Sequence, residues 1–338
     1  MLTIEVQKEI AKEASDTVQN DPLRKKTKRR RKTIVIGARI HPGETPSSYV
    51  CQGMINFLLS DKPVAEILRE NVTFKFIPML NPDGVYVGNY RTCILGQDLN
   101  RCWQETSTHA YPTLAAVKGV IESLALEKES EMDMYLDLHA HTGLLGAFVY
   151  GNSYSDVYRF QRHTLFPKHL SYCAEDFSLD NTAYNKDRNK SGTSRRFLST
   201  FLNDKVNCYT LEVSFHGYEV QKGGSSSVNI YNEEEYLRLG ESICYSLLDY
   251  YCAIKYIPPD DIPKEIRETY CKGARGKIPT AGNTRSPHRT PAGTGNSKVS
   301  ASKGKDNGNK TNKTKTTVSK VSESNHHPQP LKSEERKE

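Results

Sequence analysis

Residues 33–48 read Thr33-Ile34-Val35-Ile36-Gly37-Ala38-Arg39-Ile40-His41-Pro42-Gly43-Glu44-Thr45-Pro46-Ser47-Ser48. The β-branched run Thr33–Ile40 predicts a strand, and the polar HPGE turn ends it. Pro46 then opens a helix, because a proline at the first helical position loses no hydrogen bond. Val50, Met54, Phe57 and Leu58 follow at helical spacing and form its apolar face. A strand, a turn and a helix in this order are half of a parallel βαβ unit. Val72–Leu80, Met132–Ala140 and Val206–Ser214 read as further strands. Asn232–Ala253, with three acidic residues in its first turn, reads as a long final helix. No internal repeat is visible. The expected fold class is α/β, a mixed but mostly parallel sheet covered by helices on both faces. In such sheets functional residues gather where strands end and loops begin.

Composition sets the outer limits. The chain has 338 residues, 36% of them hydrophobic, and a net charge of +7; its mean hydropathy is −0.66. No window approaches the ~18 consecutive apolar residues of a membrane span, so a membrane partner is not expected. MLTIEVQKEIAKE is too polar for a secretory signal. The eight cysteines form no CxxC pair, which favours reduced thiols and a cytoplasmic location. Three segments follow: a basic stretch 1–32, a globular domain 33–255, and a basic tail 256–338. The tail carries 17 Lys and Arg against 9 Asp and Glu. From about Lys272 it has almost no aliphatic content and should be disordered, since it cannot bury enough surface to offset ordering. The run Arg24–Lys32 is open between a nuclear-import or polyanion patch and a solvated linker. Neither basic run has interleaved aromatics, so nucleic acid is not an expected partner.

Four polar clusters sit at strand ends. His41 and Glu44 of HPGE share a tight turn, for which Gly43 supplies a permissive backbone. Asp137-Leu138-His139-Ala140-His141 closes another strand, and alternation puts His139 and His141 on one face. His41, Glu44 and one later histidine make a His₂Glu set, a donor combination that holds Zn²⁺ with a fourth position open. Asn81-Pro82-Asp83-Gly84 leads into Gly88-Asn89-Tyr90-Arg91 and Asp98-Leu99-Asn100-Arg101, whose guanidiniums suit carboxylates. Glu212 lies inside the apolar strand Thr210-Leu211-Glu212-Val213. A carboxylate there is either a salt-bridged structural residue or a general base.

In this order the phrases HPGETPSS, PMLNPDGVYVGNYR, DLNR, DLHAHTG and YTLEVSF resemble the cytosolic carboxypeptidase branch of the zinc carboxypeptidases, over about Thr33–Ile254. The resemblance implies a mixed eight-stranded sheet and one zinc per chain, held by His41, Glu44 and His139. His141 falls two positions later and is expected to line the site. Asp98 matches a carboxylate that orients the first ligand histidine. Arg91 matches the arginine at the scissile carbonyl, and Asn100 with Arg101 the pair that grips the substrate's terminal carboxylate. Glu212 matches the general base. Lys190-Ser191-Gly192-Thr193-Ser194-Arg195-Arg196 resembles a Gly-Thr-x-Arg signature whose arginine, here Arg195, reaches the side-chain pocket; Ser194 stands where a glycine is expected. Tyr184 is the candidate for a substrate-binding tyrosine.

The implied activity is hydrolysis of C-terminal glutamates from polyglutamylated protein tails, tubulin's above all. Members of the branch carry a β-rich domain ahead of the catalytic one. Here 40 residues precede His41, so the resemblance implies a chain shortened at its N-terminus, with MLTIEV matching the last upstream strand. Two other readings are a truncated, inactive binder of acidic tails and a zinc amidohydrolase of small N-acyl amino acids. The separate NPDG and DLNR motifs favour the peptidase.

Overall fold

The computed structural model describes residues 1–5, 29–105, 107–202, 206–222 and 225–270. The expected disorder of 272–338 and most of the Arg24–Lys32 run lie outside the described residues. Strands are β1 (Leu2–Ile4), β2 (Arg31–Ala38), β3 (Val72–Ile77), β4 (Ser130–His141), β5 (Ala147–Asn152), β6 (Ala183–Asn185), β7 (Asn207–Ser214), β8 (Gly217–Lys222) and β9 (Ser225–Ile230). Helices are α1 (Thr45–Leu59), α2 (Pro63–Asn71), α3 (Pro82–Val87), α4 (Pro112–Leu126), α5 (Val157–Cys173), α6 (Ser194–Phe201), α7 (Glu233–Ala253) and α8 (Lys264–Tyr270).

The main sheet runs β1-β3-β2-β4-β7-β5-β6, and β8 with β9 forms a separate ribbon. Four of the six pairings in the main sheet are parallel; β1/β3 and β5/β7 are antiparallel. The sheet is therefore mixed and mostly parallel. It has seven strands among the described residues, not eight. The strand expected in MLTIEV is β1.

Alternation sorts the strands between two layers. Ile34, Ile36 and Ala38 of β2, Leu136 and Leu138 of β4, and Leu211 and Val213 of β7 face a core built with α1, α2, α5 and α7. Val35, Tyr135 and Cys208, from the same strands, face a second core with α4 and α6. His139 has the parity of Tyr135, and Glu212 that of Cys208, so both belong to the α4/α6 face. The boundaries at 33 and 255 require correction. Ile4, Tyr256, Ile257 and Ile262 are buried in the first core, and the Tyr256 hydroxyl accepts from Lys32 N and donates to Asn71 O. The chain past residue 255 begins as part of the packed fold, ending in α8, because these apolar side chains cover the amino ends of β2 and β3. No helix among the described residues is long and apolar enough to cross a membrane.

Helices α1 and α7 meet at backbone distance. A Cβ at Gly53 would stand 2.1 Å from Leu237 O, and one at Gly240 2.3 Å from Val50 O. Gly240→Ala gains about 1 kcal/mol of helix propensity but forces this contact apart. We expect a net destabilisation of about 1–3 kcal/mol, read from urea unfolding; an unchanged midpoint would contradict the close packing.

Candidate metal and active site

The carboxyl ends of β2, β4 and β7 lie side by side, with β3 on one flank of β2 and β4 on the other. That is a switch point, the position where open α/β sheets form their crevice. β2 stops at Ala38 rather than Ile40, because Arg39 adopts a left-handed backbone, φ 57°. This uncommon conformation is held on three sides: Arg39 N donates to Ser47 Oγ, Nε to Pro42 O at 2.6 Å, and Nη1 to Ser48 Oγ at 2.9 Å. The reversal swings His41 over the sheet end. Gly43 does not supply a left-handed turn. Its role is room: a Cβ there would sit 2.5 Å from the Tyr90 ring and 2.8 Å from Tyr90 O, the oxygen that accepts from Gly43 N at 2.7 Å. Asn81 of the NPDG motif braces the same turn, donating to Ile40 O and capping α3 through Gly84 N.

His41, Glu44 and His139 converge, their ligand atoms all within 4.8 Å of one another and all three residues buried. Glu44 Oε1 lies 2.7 Å from His41 Nδ1, Glu44 Oε2 3.0 Å from His139 Nδ1, and the two Nδ1 atoms are 3.2 Å apart. The opposite ring nitrogens are taken by carboxylates: His41 Nε2 by Asp98 at 3.0 Å and His139 Nε2 by Asp137 at 2.9 Å. Such partners fix ring orientation and raise donor strength. Two imidazole nitrogens turned on each other beside a carboxylate are a donor set for a cation. The residues fit Zn²⁺.

Asp98 also accepts from Asn100 N and pairs with Arg91, whose Nη2 is 2.7 Å away; Arg91 Nη1 is 3.9 Å from Glu44. Arg101 donates to Asn100 O and lies 3.9 Å from Asp98. Asn100 is buried, its Oδ1 accepting from Ser194 N at 2.9 Å and its Nδ2 3.2 Å from His139 Nε2. Glu212 stands directly opposite His139 across β4/β7. His141 lies beside the cluster, not in it: Nδ1 accepts from Leu144 N, and the ring packs 4.8 Å from Phe148, Glu212's partner across β5/β7. Arg195 is buried deeper, bonded to Gly151, Asn152 and Asn185. Tyr184 packs edge-on against His163 near that end.

Electrostatics follow from this crowding. Burial opposes ionisation of Glu44, but His139 and His41 outweigh it and hold the carboxyl well below its usual range. Burial likewise opposes Asp98, and His41, Arg91 and Arg101 overcome it. His139 is raised well above an ordinary histidine, since Asp137 and Glu44 outweigh its desolvation. Burial pushes Glu212 up to about 7, in the range that suits a general base.

Asp137 was not singled out from sequence. It is fully buried and accepts from both His139 and the Ser194 hydroxyl. The signal was present in DLH: two residues before His139, alternation sets Asp137 on the same strand face.

A sequence model of the zinc carboxypeptidases matches residues 3–238. The chain belongs to the zinc carboxypeptidase family. It is 49% identical over 221 residues to cytosolic carboxypeptidase 6 of Mus musculus, covering 65% of this chain and 41% of that protein. It is 38% identical over 264 residues to cytosolic carboxypeptidase 6 of Caenorhabditis elegans, covering 74% and 57%. The chain thus spans about half the length of these relatives. Its fold is shared with a metallo-carboxypeptidase from Burkholderia cenocepacia, at TM-score 0.59 and 24% identity over 68% of this chain and 59% of that one. No disulfide joins the seven cysteines among the described residues.

His41→Ala and His139→Ala should each abolish stoichiometric zinc binding, measured by atomic absorption after dialysis. Asp98→Asn and Asp137→Asn should retain zinc with affinity lowered about 10- to 100-fold. His141→Ala should leave the stoichiometry intact; zinc loss there would mean the wrong histidine had been assigned.

Proposed function

We propose that this chain is a zinc metallocarboxypeptidase that removes C-terminal glutamates from polyglutamylated protein tails, tubulin's among them, in the cytosol. The observation that carries the choice of substrate is Arg195, a buried guanidinium with no carboxylate within ion-pair distance among the described residues. A cation buried without a counter-ion is costly unless a ligand supplies one, and the side chain of a terminal glutamate does so. The relatives' names support carboxypeptidase activity and a cytosolic setting. The basic stretch past residue 255 would add long-range attraction to an acidic tail, screened by salt.

Zinc bound by His41, Glu44 and His139 supplies Lewis acidity and lowers the pKa of water. The chain's own residues do the rest. Asn100 and Arg101 hold the terminal carboxylate that every substrate shares. Arg91, half-exposed beside Glu44, faces the carbonyl that becomes an oxyanion. Glu212 accepts a proton from the attacking water and delivers it to the departing amine. That role requires the ionised carboxylate, so activity is lost as pH falls through the Glu212 pKa. A cation at the cluster lowers that value, which puts the acid limb at or below about 7.

Glu212→Gln should lower turnover about 10²–10⁴-fold with substrate binding nearly intact. Arg195→Ala should cost about 10²-fold or more on peptides ending in Glu and far less on those ending in Leu, while Arg101→Ala weakens both alike. Steady-state kinetics on matched peptides decide this; equal losses from Arg195→Ala on the two would end the glutamate assignment.

A further inference from the structure

Arg195 is 4% exposed, and among the described residues each acceptor that meets its guanidinium is an uncharged oxygen. Nη1 donates to Gly151 O at 2.6 Å and Asn152 Oδ1 at 2.7 Å, and Nη2 donates to Asn185 Oδ1 at 3.1 Å. These oxygens come from the end of β5 and from β6, which run parallel as neighbours, Asn152 opposite Asn185.

The amide of Asn152 can point only one way. Its Nδ2 lies 3.3 Å from both Arg195 O and Cys208 O, two acceptors, so its Oδ1 must face the guanidinium. Its backbone N–H donates to His163 Nε2 at 2.9 Å. That fixes the tautomer of His163, whose Nδ1 donates to Asn207 Oδ1 at 3.1 Å, while Asn207 Nδ2 donates to the Tyr250 hydroxyl at 3.0 Å. Burial lowers the His163 pKa to about 3, so this support is neutral at physiological pH. From Asn152 to the Tyr250 hydroxyl the contacts behind Arg195 are polar, oriented and uncharged; Tyr250 then donates to Asp133, whose charge is met by Lys32 and Arg162. Burial and the neighbouring Arg196 lower the Arg195 pKa only to about 10, leaving the guanidinium charged.

We propose that Asn152 and Asn185 are specificity determinants: they fix the Arg195 guanidinium through neutral oxygens and leave its charge for the second carboxylate of a terminal acidic residue. This rests on Arg195 being the cation that meets the departing side chain. A carboxylate in place of either amide would still accept from Arg195 and would cancel its charge, so the guanidinium would stay in place while selection for acidic residues would be lost. Asn185 is the cleaner position, being half-buried with its side chain hydrogen-bonded to Arg195 alone among the described residues.

The test uses the full zinc-loaded chain with Asn185→Asp and Asn185→Ala, on peptides identical except for a final Glu or Leu. Asn185→Asp should raise KM for the Glu-ended peptide at least roughly tenfold, with kcat and the Leu-ended KM little changed. Asn185→Ala, which removes an oxygen but adds no charge, should move the Glu-ended KM much less. Asn152→Asp should act like Asn185→Asp and also lower thermal stability, because its second oxygen would face Arg195 O and Cys208 O. A parent-like KM in Asn185→Asp would overturn the proposal, as would equal effects of Asp and Ala, or loss of zinc or fold in Asn185→Asp. A parent enzyme indifferent to Glu or Leu would be a different failure, removing the reading of Arg195 and this proposal with it.

Discussion

The parallel register of β2, β4 and β7 is the constraint on which the site depends. Thr33 to Ala38 run beside β4, and β4 runs beside β7 so that His139 falls opposite Glu212. Strand side chains alternate, so a slip of one residue in β4 would send His139 and Asp137 into the apolar layer under α1 and α7 and turn Leu138 toward the site. The hydrophobic pattern that fills the first core therefore also fixes the polar pattern on the opposite face. Ile34, Ile36, Leu136, Leu138, Leu211 and Val213 hold the register; His139, Asp137 and Glu212 occupy the positions between them.

Much of this was legible in the sequence. TIVIGARI followed by HPGE and Pro46 announced a strand, a turn and a helix, and Val50, Met54, Phe57 and Leu58 are all buried on α1. What escaped was set by contacts between distant segments. Periodicity could not reveal that Arg39 breaks β2 two residues early, because its left-handed backbone is held by Ser47, Ser48 and Pro42 through tertiary hydrogen bonds. Gly43 looked like a turn residue, yet it is small because Tyr90, far along the chain, passes against it. Tyr256, Ile257 and Ile262 were grouped with a charged tail by composition, although three apolar side chains suffice to bind that stretch to the core. Asn152, Asn185 and His163 carried no motif; the pairing of β5 with β6 brings the two asparagines to Arg195, and α5 sets His163 behind Asn152.

Buried charge is handled in two ways in this molecule. Asp133, at the amino end of β4, is fully buried and met by Lys32 at 3.3 Å and by Arg162, with Tyr250 donating to its other oxygen. That charge is internally balanced. At the carboxyl ends Asp98 and Asp137 each back a histidine, while Glu44 stands between the two rings. Arg195 differs from all of these in having, among the described residues, oriented neutral partners and no acid. Breaking a buried pair is costly because one charge is left stranded; under the proposed function, a carboxylate arriving with the substrate would supply the partner that Arg195 lacks among the described residues.

We propose that these residues form one zinc-dependent peptidase acting on terminal glutamates. The most direct measurement is glutamate release from a peptide ending in consecutive glutamates by the purified, unmodified chain, followed by mass spectrometry before chelation, after chelation and after zinc is restored. Stepwise loss of single C-terminal glutamates is expected, abolished by the chelator and recovered with about one equivalent of zinc. An intact peptide in the presence of stoichiometrically bound zinc would contradict it.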